Sequence, residues 1–79
     1  MEITVHNFIT DGDTKQVTIE VLYNSKPFYI TKNINTVSGK TTEQYVAEAI
    51  TASQDEIDAW KSDTAPIGKK FNAETGAFV

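Results

Sequence analysis

The sequence predicts an α+β fold, in which a three-stranded antiparallel sheet packs against two short helices and a small β-hairpin closes the chain. Two observations carry this prediction. Apolar residues alternate with polar ones as far as about residue 32, whereas after Lys40 they recur at helical spacing. Such a change of period is typical of a helical layer that covers one face of a sheet. With 79 residues, we expect a single small domain that spans residues 1–79.

The clearest strands lie in residues 16–24 and 27–32, joined by a turn with the sequence Asn-Ser-Lys-Pro. In both strands the apolar side chains share one face, because successive side chains of a strand point to opposite sides. A first strand over residues 2–9 shows the same alternation until two apolar residues become adjacent after Asn7. That irregularity predicts a bulge or a strand end near Asn7. Consecutive strands usually pair, so we expect a meander.

Two helices are predicted over residues 42–52 and 54–62. Thr41, with a glutamine three residues later, forms the pattern of a capping box, and Ser53, with a glutamate three residues later, repeats it. Two such patterns in tandem predict two short helices with a corner at Ser53. A single bent helix is the alternative.

After the helices, residues 69–72 and 77–79 flank a turn sequence that ends in Gly76 and predict a small hairpin. Phe71 and Phe78 are expected to pair across it; the alternative is that this segment adds to the main sheet. The predicted core of the whole chain comprises Val5, Val17, Ile19, Val21, Phe28, Ile30, Val46, Ile50, Ile57 and Trp60.

Composition narrows the classes of function. The net charge is −4: residues 43–63, the acidic segment, carry −5, and the rest of the chain carries +1. The chain has no arginine, the residue on which phosphate and base recognition depends most, so we expect no nucleic-acid partner. It has no cysteine, which excludes disulfides and thiolate metal sites. No apolar run approaches the length of a membrane span, so we expect no membrane partner.

Three short patterns resemble chemical motifs, and each has a simpler explanation. Residues 39–41, Gly-Lys-Thr, resemble the end of a phosphate-binding loop, but Ile34 stands where the first glycine is required. Residues 11–13, Asp-Gly-Asp, resemble the start of a calcium loop, but Leu22 occupies the position of the closing glutamate. His6 is the only histidine, and no signature of an activated nucleophile accompanies it. We therefore expect no enzymatic activity, no cofactor and no metal.

Aromatic and acidic surface residues are the remaining candidates for function. Tyr29 is expected to be exposed, because both of its chain neighbours face the opposite side of the strand. We expect a homo-oligomer, or a protomer ordered by a larger protein, with aromatic contacts and with the acidic segment outside the contact. The opposing expectation is a monomer whose tail folds back over the sheet. The candidate contact residues are Tyr29, Phe71 and Phe78, which are aromatic, and Glu48, Asp55 and Asp58, which are acidic.

The last quarter of the chain carries a resemblance. Residues 59–78 close a helix with a tryptophan and continue through a glycine, Lys-Lys-Phe-Asn, Thr-Gly and a final phenylalanine. This pattern resembles the ends of many small tailed-bacteriophage proteins, among them tail, tail-fibre and other virion-associated proteins. The resemblance implies a non-enzymatic structural or assembly role in the tail, neck or capsid of a virion, through contacts with itself or a larger virion protein.

A second function class is a small phage-encoded inhibitor in the host cytoplasm. Such a protein would use the acidic segment to block a host protein, because an acidic surface matches the field of a site that binds nucleic acid.

Overall fold

The computed structural model describes all 79 residues and confirms the α+β fold. Strands β1, β2 and β3 form an antiparallel sheet in that order, and β4 and β5 form a separate two-stranded hairpin. The elements, in chain order, are β1 (Glu2–Asp11), β2 (Thr14–Tyr23), β3 (Lys26–Asn35), α1 (Thr42–Ala52), α2 (Gln54–Thr64), β4 (Phe71–Asn72) and β5 (Ala77–Phe78).

Both turns of the main sheet contain two residues. Asn24 and Ser25 have φ angles of 53° and 61°, the left-handed pair of a type I′ turn, whose twist matches that of the flanking strands. Gly12, with φ 58°, precedes Asp13 and occupies the position where a type II′ turn carries glycine. The tight turn at Gly12 allows pairing of β1 with β2 to continue to Asp11, beyond the predicted end of the first strand. The third strand also extends beyond its prediction, because residues 33–35 pair with the start of β2.

A bulge interrupts β1 and confirms the irregularity predicted near Asn7. The register with β2 shifts between Val5 and Asn7, so His6 has no partner in the ladder. The shift turns Phe8 toward the inner face of the sheet, where it packs against the core. Ile9 then lies on the outer face and is 43% exposed.

The capping box predicted at the start of α1 is confirmed. The Gln44 backbone N–H donates to Thr41 Oγ1 at 3.2 Å, and the Thr41 backbone N–H donates to Gln44 Oε1 at 2.8 Å. Tyr45 follows, buried to 3% exposure, and its hydroxyl accepts from the Val37 N–H at 3.0 Å and donates to the Val37 carbonyl at 3.1 Å. This residue fastens the loop between β3 and α1 to the core.

The second capping box, predicted at Ser53, is wrong. Ser53 is fully buried with near-helical backbone angles, and its Oγ donates backward to the Ala49 carbonyl at 2.7 Å instead of capping α2. Glu56, the expected partner, pairs with Lys32 of β3. A hydroxyl bonded to the carbonyl four residues earlier often bends a helix. The corner between α1 and α2 therefore lies at Ser53 as predicted, but a different interaction accompanies it.

The core lies between the helices and the inner face of β2 and β3. Trp60 of α2 closes one end, with its ring stacked on Phe28 at 5.0 Å between centroids. Phe28, Val46, Ile50 and Trp60, all predicted core residues, are half-buried at the edge of the core. The fully enclosed apolar residues are Val17, Ile19, Val21, Ile30, Ile34, Tyr45, Ala49 and Ile57.

The prediction that Val5 belongs to the core is wrong, since its side chain is 45% exposed. Val5 faces inward, opposite Ile19, but α1 packs on β2 and β3. A helix is about 10 Å wide and strands lie about 4.8 Å apart, so one helical layer covers about two strands. The third strand, β1, is the one left open.

The molecule is elongated, with extents of 60 × 18 × 17 Å. Ten-residue strands span about 34 Å, so the hairpin of β4 and β5 projects beyond the end of the main sheet. Phe71 and Phe78 pair across this hairpin as predicted, edge to face at 6.0 Å. The alternative, in which this segment adds to the main sheet, is not what the structure shows. None of the helices is both long and apolar enough to cross a membrane.

A matched pair of substitutions tests how far the helices cover the inner face of the sheet. Ile19→Ala should lower the free energy of unfolding by about 2–4 kcal/mol, because it empties a buried aliphatic site. Val5→Ala, directly opposite on β1, should cost less than about 1 kcal/mol because Val5 is already partly hydrated. Urea unfolding at micromolar protein measures both. Equal losses at the two positions would contradict the open position of β1.

The anchoring role of Tyr45 is tested by Tyr45→Phe. This change leaves the backbone polar groups of Val37 without their partner and should cost about 1–2 kcal/mol of unfolding free energy. Amide exchange at Val37 should also accelerate. Tyr29→Phe, which alters an exposed tyrosine, is the control and should stay within about 0.5 kcal/mol. Indistinguishable effects of the two changes would show that the loop does not depend on the Tyr45 hydroxyl.

Candidate protein-contact surfaces

The terminal hairpin, residues 70–79, is ordered by its own hydrogen bonds. Asn72 Oδ1 accepts from the backbone N–H groups of Glu74 at 2.9 Å and Thr75 at 3.3 Å, the pattern by which asparagine stabilises a tight turn. Gly76 has a left-handed φ of 71°, and its N–H donates to the Asn72 carbonyl at 2.8 Å. These local bonds shape a hairpin whose strands contain only two residues each.

The terminal hairpin presents apolar side chains to solvent. Phe71 is 61% exposed, Phe78 54% and Val79 78%, although large apolar side chains are normally enclosed. Lys69 Nζ lies 5.7 Å from the Phe78 ring centroid, so positive charge borders the aromatic surface. An open hollow on this hairpin is lined in part by Phe71, Val79 and the basic Lys70. The combination of exposed rings and a basic rim is typical of a contact surface.

The linker between α2 and the terminal hairpin contains two hydrogen-bonded turns. The Ile67 N–H donates to the Thr64 carbonyl at 3.0 Å, and the Lys69 N–H donates to the Pro66 carbonyl at 3.1 Å. Gly68, with φ 86°, adopts the left-handed conformation that the second turn requires. These turns direct the terminal hairpin away from the main sheet.

Tyr29 lies on the outer face of the sheet and is 51% exposed, as expected. Its ring contacts that of His6, the residue at the β1 bulge, with centroids 4.9 Å apart. Its cross-strand partner is Glu20. Hydrogen bonding to the Glu20 carboxylate, followed by partial loss of hydration and the negative charge of Glu20, raises the pKa of Tyr29 above its ordinary value. Tyr29 therefore belongs to a polar cluster that crosses all three strands.

Two carboxylates of the acidic segment form ion pairs with lysines that lie outside this segment in the sequence. Glu48 forms an ion pair with Lys40, and the pair of Glu56 with Lys32 has been described above. Asp58 Oδ1 accepts from the Gln54 side-chain amide at 2.9 Å. The other predicted contact residue here, Asp55, lies in the first turn of α2, where a carboxylate favours the helix dipole.

The structure separates the predicted contact residues into three surfaces. Phe71 and Phe78 lie together on the terminal hairpin, Tyr29 lies on the outer face of the sheet, and the acidic residues lie on the helices. Sequence reasoning missed a fourth surface, the inner face of β1. No signal in the sequence indicated it, since one helix covers about two strands but two helices side by side would cover three.

No protein-family model, curated protein or solved structure matches this chain. Nowhere in the structure do three histidine or carboxylate side chains converge as metal ligands do. Among the large apolar and aromatic side chains, those of Phe71 and Phe78 on the terminal hairpin are more exposed than that of Tyr29 on the sheet.

The effect of Glu20 on Tyr29 is testable by titration. Glu20→Gln removes the carboxylate and should lower the pKa of Tyr29 toward the ordinary value of 10.0. NMR detection of the tyrosine ring carbons, assigned with Tyr29→Phe, follows this residue separately from Tyr23 and Tyr45. Glu43→Gln, on α1, is the charge-matched control and should leave the titration unchanged. The same pKa in both glutamine variants would contradict the assignment.

Proposed function

We propose that this protein is a non-enzymatic assembly component of a bacteriophage particle that acts through protein–protein contacts of its terminal hairpin. The observation that carries the proposal is an ordered hairpin that projects from the body and holds Phe71, Phe78 and Val79 largely exposed. Aromatic side chains held in a fixed arrangement contribute much area at small entropic cost when a partner covers them, and they dominate the energetics of protein interfaces.

Two further features support this proposal. The elongated shape places the terminal hairpin at one extremity, where it reaches a neighbouring subunit without steric conflict from the sheet. The phage setting is supported by the resemblance of residues 59–78 to the ends of small virion-associated proteins. In the structure this stretch includes the second half of α2, the linker and the terminal hairpin up to Phe78. The stretch with the resemblance and the exposed apolar surface are thus the same part of the chain.

The acidic-inhibitor alternative receives less support from the structure. Two carboxylates of the acidic segment, Glu48 and Glu56, are paired with lysines of the same chain. A surface that imitates nucleic acid gains from carboxylates that are free to meet basic groups of a partner. Internal pairing reduces that field.

The assembly role is tested by incorporation into particles. The double variant Phe71→Ser/Phe78→Ser should be lost from particles purified on a density gradient, because the surface proposed to hold it in place has been removed. Ile9→Ser, an exposed apolar position on the outer face of the sheet, is the matched control and should be retained. Quantitative mass spectrometry of the particle band measures both. A wild-type chain found only in the soluble fraction would contradict the proposal.

A further inference from the structure

The inner face of β1 carries an apolar strip, which we define as Ile3, Val5 and Phe8. Val5 is 45% exposed, whereas its partner Ile19 on β2 is 1% exposed. Ile3 and Phe8 are only partly buried against the core. Phe8 contacts the ring of Tyr45 of α1, with centroids 6.3 Å apart, and Lys15 Nζ lies 6.0 Å from the Phe8 ring. The strip is therefore continuous with the apolar interior at Phe8 and most open at Val5. An apolar strip along an edge strand is a surface that a further chain segment can cover.

The same chain carries an apolar element of complementary character, the terminal hairpin. Its linker turns hold it away from the main sheet, so the β1 strip stays open within one copy. Phe71 and Phe78 form a single edge-to-face pair, which is a compact apolar surface. The terminal hairpin of a second copy is therefore an exposed apolar element that is available to cover the β1 strip of the first copy.

Net charge selects between the possible contacts of two copies. Residues 1–63 carry −5 and residues 64–79 carry +1, through Lys69 and Lys70 against Glu74. A hairpin-to-hairpin contact brings four lysines together. A contact between the helices of two copies opposes two negative surfaces, because the −5 lies on residues 43–63 while residues 1–42 are balanced. Contact between the hairpin of one copy and the body of another is the arrangement that brings opposite charges together.

We propose that the terminal hairpin of one copy docks on the β1 strip of a second copy. The proposal rests on the role assigned above to the terminal hairpin and names its partner. The two contacting surfaces differ, so the contact is heterologous, and repetition of it closes a ring or extends a chain.

Cross-linking tests the contact directly, because the native chain has no cysteine. Val5→Cys and Val79→Cys are made in separate chains, which leaves Phe71 and Phe78 in place. Mixed under mild oxidation at near-millimolar protein, they should form a disulfide-linked heterodimer faster than either forms a homodimer. A mixture with Ile9→Cys, on the outer face, in place of Val5→Cys is the control. Equal rates for Val5→Cys and Ile9→Cys would overturn the proposal.

The double variant Val5→Cys/Val79→Cys distinguishes a second copy from the same chain. Intermolecular products at near-millimolar protein support the proposal. A bridge formed within one chain would show that the hairpin folds back onto its own strip and would overturn it.

Complementation supplies an independent test. Val5→Asp places a charge in the strip, and Phe71→Ser/Phe78→Ser disables the hairpin. Each variant alone should self-associate at least about tenfold more weakly than wild type. Mixed together, they should restore one contact and give a complex of twice the 8.7 kDa chain mass by light scattering. No complex in the mixture, with both variants folded by circular dichroism, would overturn the proposal.

These tests use the isolated protein and are separate from particle incorporation. If the chain is retained in particles but shows no contact between Val5 and Val79, its partner is another virion protein and only this inference fails. If the cross-link forms but the chain is not in particles, the assembly role in the virion fails while the self-contact stands.

Discussion

Strand β2 is the constraint on which the rest of this structure depends. It is the central strand, hydrogen-bonded on both sides, and Val17, Ile19 and Val21 are 0–1% exposed. Their burial requires a strand on each edge and a helical layer above. A chain with eleven residues in each of two helices provides one such layer, which is about two strands wide. The helices lie mainly over β2 and β3, so the inner face of β1 is only partly covered and Val5 is 45% exposed.

The ion pairs reinforce this placement of the helices. Lys32 projects from the inner face of β3 to Glu56 of α2, and Lys40, in the loop before α1, reaches Glu48 one to two turns into that helix. Each pair is partly exposed and contributes little to stability alone, about 0–1 kcal/mol. Their consequence is positional: the first pair connects α2 to β3, and the second holds the loop before α1 against that helix. A shift of that layer toward β1 would break the pair between α2 and β3.

The predictable parts of the fold were those that depend on local pattern. Alternation specified the strands, and Thr41 with Gln44 specified the start of α1, because a capping box uses atoms three residues apart. Ser53 shows the limit of such reasoning. Its hydroxyl could cap α2 or donate to the Ala49 carbonyl, and both partners are close in sequence. In the structure it donates to Ala49, and the residue is fully buried. Val5 shows another limit, since its alternation is correct but its burial depends on where the helices lie across the sheet. At the contact surfaces, the exposure of Tyr29 was predictable from the alternation of its neighbours, but the pairing of the acidic segment with distant lysines was not.

The stability of the terminal hairpin and its proposed function depend on the same side chains. Two-residue strands stabilised by local bonds around Asn72 make a hairpin that is marginal on its own in water. Burial of Phe71 and Phe78 against a partner adds the apolar contact that the isolated hairpin lacks, at about 25 cal/mol per Å² of apolar area removed from water. Part of that gain offsets the ordering of the hairpin and linker, so the observed affinity is lower than the buried area alone implies. An assembly contact of this kind is weak for single copies and becomes strong when several copies are held together, because each further contact then forms at high effective concentration. That behaviour suits a subunit that is soluble before assembly and fixed after it.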